Sequence, residues 1–151
     1  MFRTQAIAAV ALLLAPVALA GDERPPVVEY RHQVMEAAGK HMYMSKLIMQ
    51  GKVDRPKDLV AHAQALNDIA MIFPELFPEG TGPDKVPTDS LASVWEKKKD
   101  FTKANKAFQD ATSNLVEVAK KGDMAAYKQA FGAVGKSCGG CHDDFRKDED
   151  H

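Results

Sequence analysis

The chain has 151 residues, of which 45% are hydrophobic and 27% are charged, and its formal net charge is −1. This length suits one domain around one hydrophobic core, and the balanced charge with no basic patch argues against a nucleic-acid-binding protein. Alanine, lysine and methionine are common and β-branched residues are few, which favours helix over strand.

The first 20 residues predict a cleaved secretory signal peptide. Arg3 supplies a positive charge, residues 6–17 form an apolar run, and Ala18-Leu19-Ala20 has small residues where a signal peptidase cuts. The run is shorter than the roughly 20 residues that span a bilayer, so a membrane anchor is the less favoured alternative. We therefore expect an exported, periplasmic protein without stable membrane insertion, with residues 21–151 as a single mature domain.

Proline, glycine and N-cap residues along the mature chain predict four helices, of which two precede a long loop. The first should begin at Pro25-Pro26 and run to about Gln50, with Gly51 as its C-cap. The second should begin with Asp54 as its N-cap and end before Pro74.

The other two helices follow the loop, which covers residues 74–89 and is rich in proline and glycine. The third helix should begin near residues 88–90 and run to Lys121. Gly122-Asp123 then gives a stop and a new N-cap, and the fourth helix should run from Met124 to Lys147.

Apolar residues repeat every seven positions along these helices. The predicted seams are Leu59, Leu66 and Phe73 in the second helix, Val94, Phe101, Phe108 and Leu115 in the third, and Met124, Phe131, Cys138 and Phe145 in the fourth. On the first helix Tyr30, Val34, Ala37, Met44 and Ile48 share one face. Such seams predict an all-α fold, a left-handed, antiparallel up-down-up-down four-helix bundle with its cofactor site inside.

The chemistry is concentrated in the fourth helix, at Cys138-Gly-Gly-Cys141-His142. C-x-x-C-H is the attachment signature of a c-type haem. Residues at i, i+3 and i+4 share a helix face, so two thiols can bond the haem vinyl groups while the adjacent imidazole ligates the iron. The motif predicts one covalently bound haem c, with His142 as the proximal ligand.

Two alternatives for the cysteines remain. One is a disulfide or a thioredoxin-like redox pair, although such pairs usually accompany a βαβ pattern and lie at an exposed helix N-terminus. The other is half of a zinc site, which would need further ligands at suitable spacing. The export signal and the bundle pattern favour haem over both alternatives.

The chain resembles the cytochrome c-prime family, most closely its low-spin c-556 type. The resemblance covers nearly all of the mature chain. In the fourth helix it lies in the haem motif with Asp143-Asp-Phe-Arg146, and in the first helix in Tyr30-Arg31-x-x-x-Met35 and Gly39-Lys40-His41-Met42. It continues in Phe73-Pro-Glu-Leu-Phe-Pro-Glu-Gly-Thr81 after the second helix and in Val94-Trp95 and Asp100-Phe101 of the third. The family fold is an antiparallel four-helix bundle with haem near one end.

The resemblance places the distal residue at Met35, four positions after Arg31. In low-spin members a methionine there ligates the iron, whereas in high-spin members a bulky group leaves an open position that binds a small gas. Spacing alone gives Met35, Met42 and Met49 as a core-packing stripe. Arg31 is expected either to approach a haem propionate or to be a solvated surface residue.

Three further histidines compete only weakly for the iron. His32 and His41 lie on other faces of the first helix than Met35, and His62 is expected to be a hydrogen-bonded core histidine. No catalytic constellation stands out beyond the haem, so we expect a protein that is not an enzyme.

The favoured function is that of a single-electron carrier with His142 and Met35 as axial ligands. The alternative is a five-coordinate haem protein that binds nitric oxide or another small gas, and a third is a structural bundle with a disulfide. The expected partners are periplasmic redox proteins, a second copy of the chain in a homodimer, or a small gas.

Overall fold

Four long helices dominate the computed structural model, which describes residues 23–148. The elements are α1 (Pro26–Met49), α2 (Asp58–Ile72), a 3-10 helix (Phe73–Leu76), the short α3 (Ser93–Glu96), α4 (Lys98–Lys121) and α5 (Met124–Phe145). The prediction of an antiparallel four-helix bundle, formed by α1, α2, α4 and α5, is confirmed. No helix in residues 23–148 is long and apolar enough to span a membrane. The predicted signal peptide, residues 1–20, lies outside the described residues.

The ends of α1 and the junction between α4 and α5 lie at the predicted start and stop residues. Pro26 occupies the first turn of α1, and Gly51 follows that helix with a φ of 69°. Gly122 ends α4 in the left-handed region, with a φ of 74°. Asp123 then caps α5, because its Oδ1 accepts hydrogen bonds from the backbone N–H groups of Ala125 and Ala126 at 2.8 and 3.1 Å.

Three predicted helix boundaries are wrong. The second helix begins at Asp58 rather than after Asp54, and Asp58 pairs with Arg55 at 2.8 Å between Oδ2 and Nε. The third helix is interrupted at Lys97, and residues 88–92 stay outside it. Ser90 forms an isolated antiparallel bridge with Arg146, which holds the segment extended and ends α5 before Lys147.

The seven-residue seams describe the core of the second and third predicted helices well, whereas in the fourth only Phe145 is buried and Met124, Phe131 and Cys138 are half-buried. Their most deeply buried members are Leu59, Leu66, Phe73, Val94, Phe101, Phe108, Leu115 and Phe145. On α1 the predicted face is partly wrong, because Tyr30 is 55% exposed and Ala37 is also exposed. Arg31 takes the inward position instead and is only 4% exposed.

The bundle is closed at one end between α1 and α5. The Tyr127 hydroxyl, near the start of α5, donates to the Ser45 hydroxyl, near the end of α1, at 3.3 Å. Both residues are buried, and burial raises the pKa of the Tyr127 phenol. Because the two helices run antiparallel, the residues at the start of α1 and the end of α5 are brought to the opposite end of the bundle.

Replacing the N-cap residue, Asp123→Ala, should lower the free energy of unfolding by about 1 kcal/mol, because two backbone donors of α5 lose their acceptor. Chemical denaturation followed by far-ultraviolet circular dichroism measures the change. The matched control is Asp110→Ala on α4, an exposed residue paired only with Lys106, which should cost less than about 0.5 kcal/mol. Equal effects of the two substitutions would contradict the capping role.

Candidate functional site

A cavity of about 880 Å³ opens at the end of the bundle opposite the Ser45–Tyr127 contact. Its walls come from α1, α4 and α5 and include Val28, Met35, Phe101, Phe108, Cys138, Cys141 and His142. Cofactor sites in proteins typically measure about 300–1,000 Å³ and have mostly apolar walls with few polar groups. The cavity therefore has the size and lining of a site for a large, flat, apolar group.

All three residues of the C-x-x-C-H motif line this cavity from α5. Cys138 and Cys141 are free thiols one helical turn apart, and His142 follows directly. Burial raises the pKa of the Cys138 thiol and, with the nearby Cys138 and Asp144, raises that of Cys141 to about 11. Reactive cysteines typically have a lowered thiol pKa, so the direction of these shifts does not favour a thioredoxin-like redox pair.

The zinc alternative finds no support in residues 23–148, where no group of three or more histidine, cysteine, aspartate or glutamate side chains is arranged to hold a metal ion. Imidazole and two thiols on one helix face instead suit an iron ligand beside two points of covalent attachment.

Two helical glycines leave space at the cavity that a haem could use. Gly39 of α1 and Gly135 of α5 line the cavity, and a Cβ added at either would meet no protein atom within 4 Å. A glycine inside a helix costs about 1 kcal/mol relative to alanine, and nothing in the protein requires it here. The missing side chains leave room for a macrocycle against both helices, whereas Gly139 and Gly140, which separate the cysteines, do not line the cavity.

Met35 lines the same cavity from α1. It is half-buried and packs against an aromatic and aliphatic cluster that contains Val34, Phe73 and Phe101. The predicted methionine stripe is split, because Met42 also lines the cavity whereas Met49 packs only against the main core. The fold thus brings Met35 and His142 to one cavity, and Met35 also has apolar packing partners of its own.

Arg31 is buried, so the expectation of a solvated surface residue is wrong, whereas its approach to a haem propionate stays a prediction. Its guanidinium donates to the Leu76 carbonyl at 2.9 Å, to the Thr81 hydroxyl and carbonyl at 3.2 and 3.3 Å, and to the Thr88 hydroxyl at 2.8 Å. It also lies 4.6 Å from the ring centroid of Phe77. Burial lowers the pKa of the guanidinium, which is not solvated. Arg31 lines the cavity, but its terminal nitrogens hold the loop after α2 against α1.

Charged residues that the sequence did not single out stand at the rim of the cavity. Asp89 is paired with Arg24 at 2.8 Å between Oδ2 and Nη2, and His32 Nδ1 lies 3.4 Å from the same oxygen. Lys40 and Lys147 also line the cavity. Cations near such a rim suit the propionate groups of a haem. No periodic signal marks Arg24 or Asp89, because both lie outside the helices.

His32, His41 and His62 are all half-buried, but their positions relative to the cavity differ. His32 lines the cavity at its rim, whereas His41 and His62 are not among the lining residues. His62 is half-buried rather than part of the core, and its hydrogen-bond partner is His41.

The substitution Thr88→Val should lower the free energy of unfolding by about 1–3 kcal/mol, because it leaves a buried donor of Arg31 without its acceptor. Thermal or denaturant unfolding measures this loss. Thr102→Val is the control, since that exposed hydroxyl donates only to the Lys98 carbonyl of its own helix, and its effect should stay within about 0.5 kcal/mol. A neutral Thr88→Val variant would show that the loop does not depend on Arg31.

The paired substitution Cys138→Ala with Cys141→Ala should abolish covalent haem attachment, because both thiols that face the cavity are removed. Haem staining after denaturing electrophoresis checks this outcome. Ser137→Ala, which removes a hydroxyl beside Cys138 that donates to the Val134 carbonyl but leaves both thiols in place, should keep the stain. Haem that can be extracted intact from the wild-type protein with acidified organic solvent would contradict covalent attachment.

Comparison with known proteins agrees with this site. The family model described as Cytochrome C' matches residues 26–146. Cytochrome c' of Pararhodospirillum photometricum is 36% identical over 120 residues, covering 80% of this chain and 95% of the relative. A protein named cytochrome c-556, from Rhodopseudomonas palustris, is 28% identical over 155 residues, covering 99% of each chain.

Solved structures give the same result. Cytochrome c prime from Shewanella frigidimarina is 33% identical with a TM-score of 0.75, covering 83% of this chain and 98% of that one. A nitric oxide complex of a cytochrome c prime variant from Alcaligenes xylosoxidans is 27% identical with a TM-score of 0.74, covering 82% and 94%. The resemblance seen in the sequence is therefore confirmed, and the chain belongs to the cytochrome c-prime family and binds one haem c.

Proposed function

We propose that this protein binds small diatomic gases such as nitric oxide at a haem iron whose sixth position is crowded by Met35 but not ligated by it. The observation that carries the proposal is the packing of Met35. Its side chain is half-buried against Val34, Phe73 and Phe101, so it has a role at the cavity without a bond to iron. The proposal ranks the gas-binding alternative above the electron carrier that the sequence first favoured.

The relatives support the same ranking. The relative with 36% identity is named cytochrome c', and a similar structure is a nitric oxide complex of a cytochrome c prime variant. The relative named c-556 is 28% identical. The cytochrome c' relative with 36% identity is thus more similar in sequence to this chain than the c-556 relative is.

Each residue of the site has a defined part in this function. When bound, the haem supplies an iron that takes up gases and accepts or releases one electron. Cys138 and Cys141 hold the group to α5, and His142 provides a nitrogen ligand on one side. With the haem bound, Met35 and the apolar wall of the cavity would exclude water and large ligands, so that a small neutral molecule would be favoured as a ligand.

The second candidate is the single-electron carrier with His142 and Met35 as axial ligands. It is favoured by one observation, that the Met35 thioether lines the same cavity as His142. Methionine ligation raises the haem potential, and two occupied axial positions suit electron transfer to periplasmic redox proteins. In both cases we propose a binding or transfer protein rather than an enzyme, because no catalytic constellation beyond the haem site stands out among residues 23–148.

Export and self-association belong to the same proposal. The charged start, the apolar run at residues 6–17 and Ala18-Leu19-Ala20 support cleavage after Ala20 and a periplasmic location.

Large exposed apolar side chains support a homodimer through the first two helices. They are Tyr30 and Tyr43 on α1 and Met71 and Ile72 on α2.

The ferrous wild-type protein should be high-spin and should take up carbon monoxide readily near neutral pH, because the iron has an open position. Met35→Ala should leave the spin state unchanged and speed carbon monoxide uptake, since it removes the crowding side chain. Optical spectra and stopped-flow mixing with carbon monoxide measure both effects.

The matched control is Met49→Ala, a half-buried methionine of the same helix that packs against the core but does not line the cavity. It should alter stability and leave carbon monoxide uptake unchanged. A low-spin ferrous wild type with slow uptake, which Met35→Ala converts to high spin, would overturn the proposal. The electron carrier would then take first place.

A further inference from the structure

We propose that His41 and His62 form a second metal site, separate from the haem, which takes a divalent first-row transition ion and binds Cu(II) most tightly. The proposal rests on a pairing that the haem function does not use. His41 lies on α1 and His62 on α2, and their Nδ1 atoms are 3.1 Å apart. Neither residue lines the haem cavity.

The distance between the two nitrogens suits shared coordination. Metal–nitrogen bonds to histidine are about 2.0–2.1 Å long, so nitrogens 3.1 Å apart subtend an angle of about 100° at one ion. This angle lies between the right angle of a tetragonal site and the larger angle of a tetrahedral one, the geometries that Cu(II) and Zn(II) adopt. The ring centroids are 5.3 Å apart and the planes are inclined by 53°, so the rings are not stacked face to face.

One imidazole of the pair is already in the neutral form that a metal needs. One Nδ1 must donate to the other across the 3.1 Å contact, and a donor–acceptor pair of this kind requires an acceptor ring that is neutral. Burial and the charge of His41 lower the pKa of His62, while Asp58, one turn earlier on α2, opposes this. On metal binding the donor ring keeps its proton by carrying it on Nε2, so both Nδ1 lone pairs become ligands.

Access and affinity follow from the surroundings. Both histidines are half-buried, so an ion can reach them from solvent without unfolding the helix pair. Asp58 is paired with Arg55, which leaves water as the occupant of the remaining coordination positions. Imidazole ligands bind Cu(II) more tightly than the other divalent ions of the series. Two protein ligands therefore give an exchangeable site that links α1 to α2.

The test titrates Cu(II) into the ferric holoprotein at neutral pH, with calorimetry for stoichiometry and electron paramagnetic resonance for the copper ligands. We expect one bound ion per chain, a copper signal coupled to two imidazole nitrogens, and a higher unfolding midpoint with Cu(II) present. His41→Gln and His62→Gln should each weaken binding at least about tenfold, the loss that is typical even for an outer-shell partner. Binding should weaken as the pH falls and the imidazoles take up protons.

His32→Gln is the matched control, because His32 is also a half-buried histidine of α1 but has Asp89 rather than a histidine as its partner. It should retain copper binding. Equal affinity in all three variants, or equal loss in all three, would overturn the proposal. If a glutamine variant fails to fold, the wild-type spectrum decides, because a copper signal coupled to fewer than two nitrogens would also overturn it.

Discussion

The space between α1 and α5 is the constraint on which the rest of the structure depends. Protein interiors are close-packed with few voids larger than a water molecule, yet this bundle has a cavity of about 880 Å³. The two ends of the bundle therefore differ, because one is packed closed and the other must leave space for a bound group. At one end the Tyr127–Ser45 hydrogen bond and the buried leucine core close the bundle, and at the other the chain supplies walls for a bound group. Gly39 and Gly135 leave open space in those walls.

Arg31 holds the open end in shape. Its four hydrogen bonds attach the loop after α2 to the first helix, and Phe77 of that loop covers the guanidinium. Phe77 in turn meets Phe101 of α4 edge-on at 4.8 Å, and Phe101 meets Phe145 of α5 at 5.2 Å. A chain of contacts thus runs from the helix that carries Met35 to the helix that carries the haem motif. A buried arginine here acts as a positioning residue, because its donors satisfy loop acceptors that would otherwise be buried without partners.

The sequence defines the haem-binding residues of α5 more firmly than those of α1. On α5, helical spacing alone brings two thiols and an imidazole to one face, so this side is set by a local rule. On α1, Met35 has both a thioether that can ligate iron and apolar neighbours that explain it as packing. The His41–His62 pair lies on the other helix pair, α1 and α2, so a metal there would act on the bundle without contacting the haem.

The sequence by itself determined the haem motif, the four long helices and most of the core, because these depend on local spacing and on a seven-residue repeat. Val94, Phe101, Phe108 and Leu115 were all predicted to face inward, and all are buried. Only the tertiary structure decided the elements that depend on distant partners. The Ser90–Arg146 bridge delays the third helix and shortens the fourth, and it joins residues 56 positions apart in sequence. Arg31 replaces Tyr30 on the inner face of α1 because loop oxygens reach its guanidinium. Sequence periodicity treats arginine as solvent-exposed and cannot supply those acceptors, which only folding brings together.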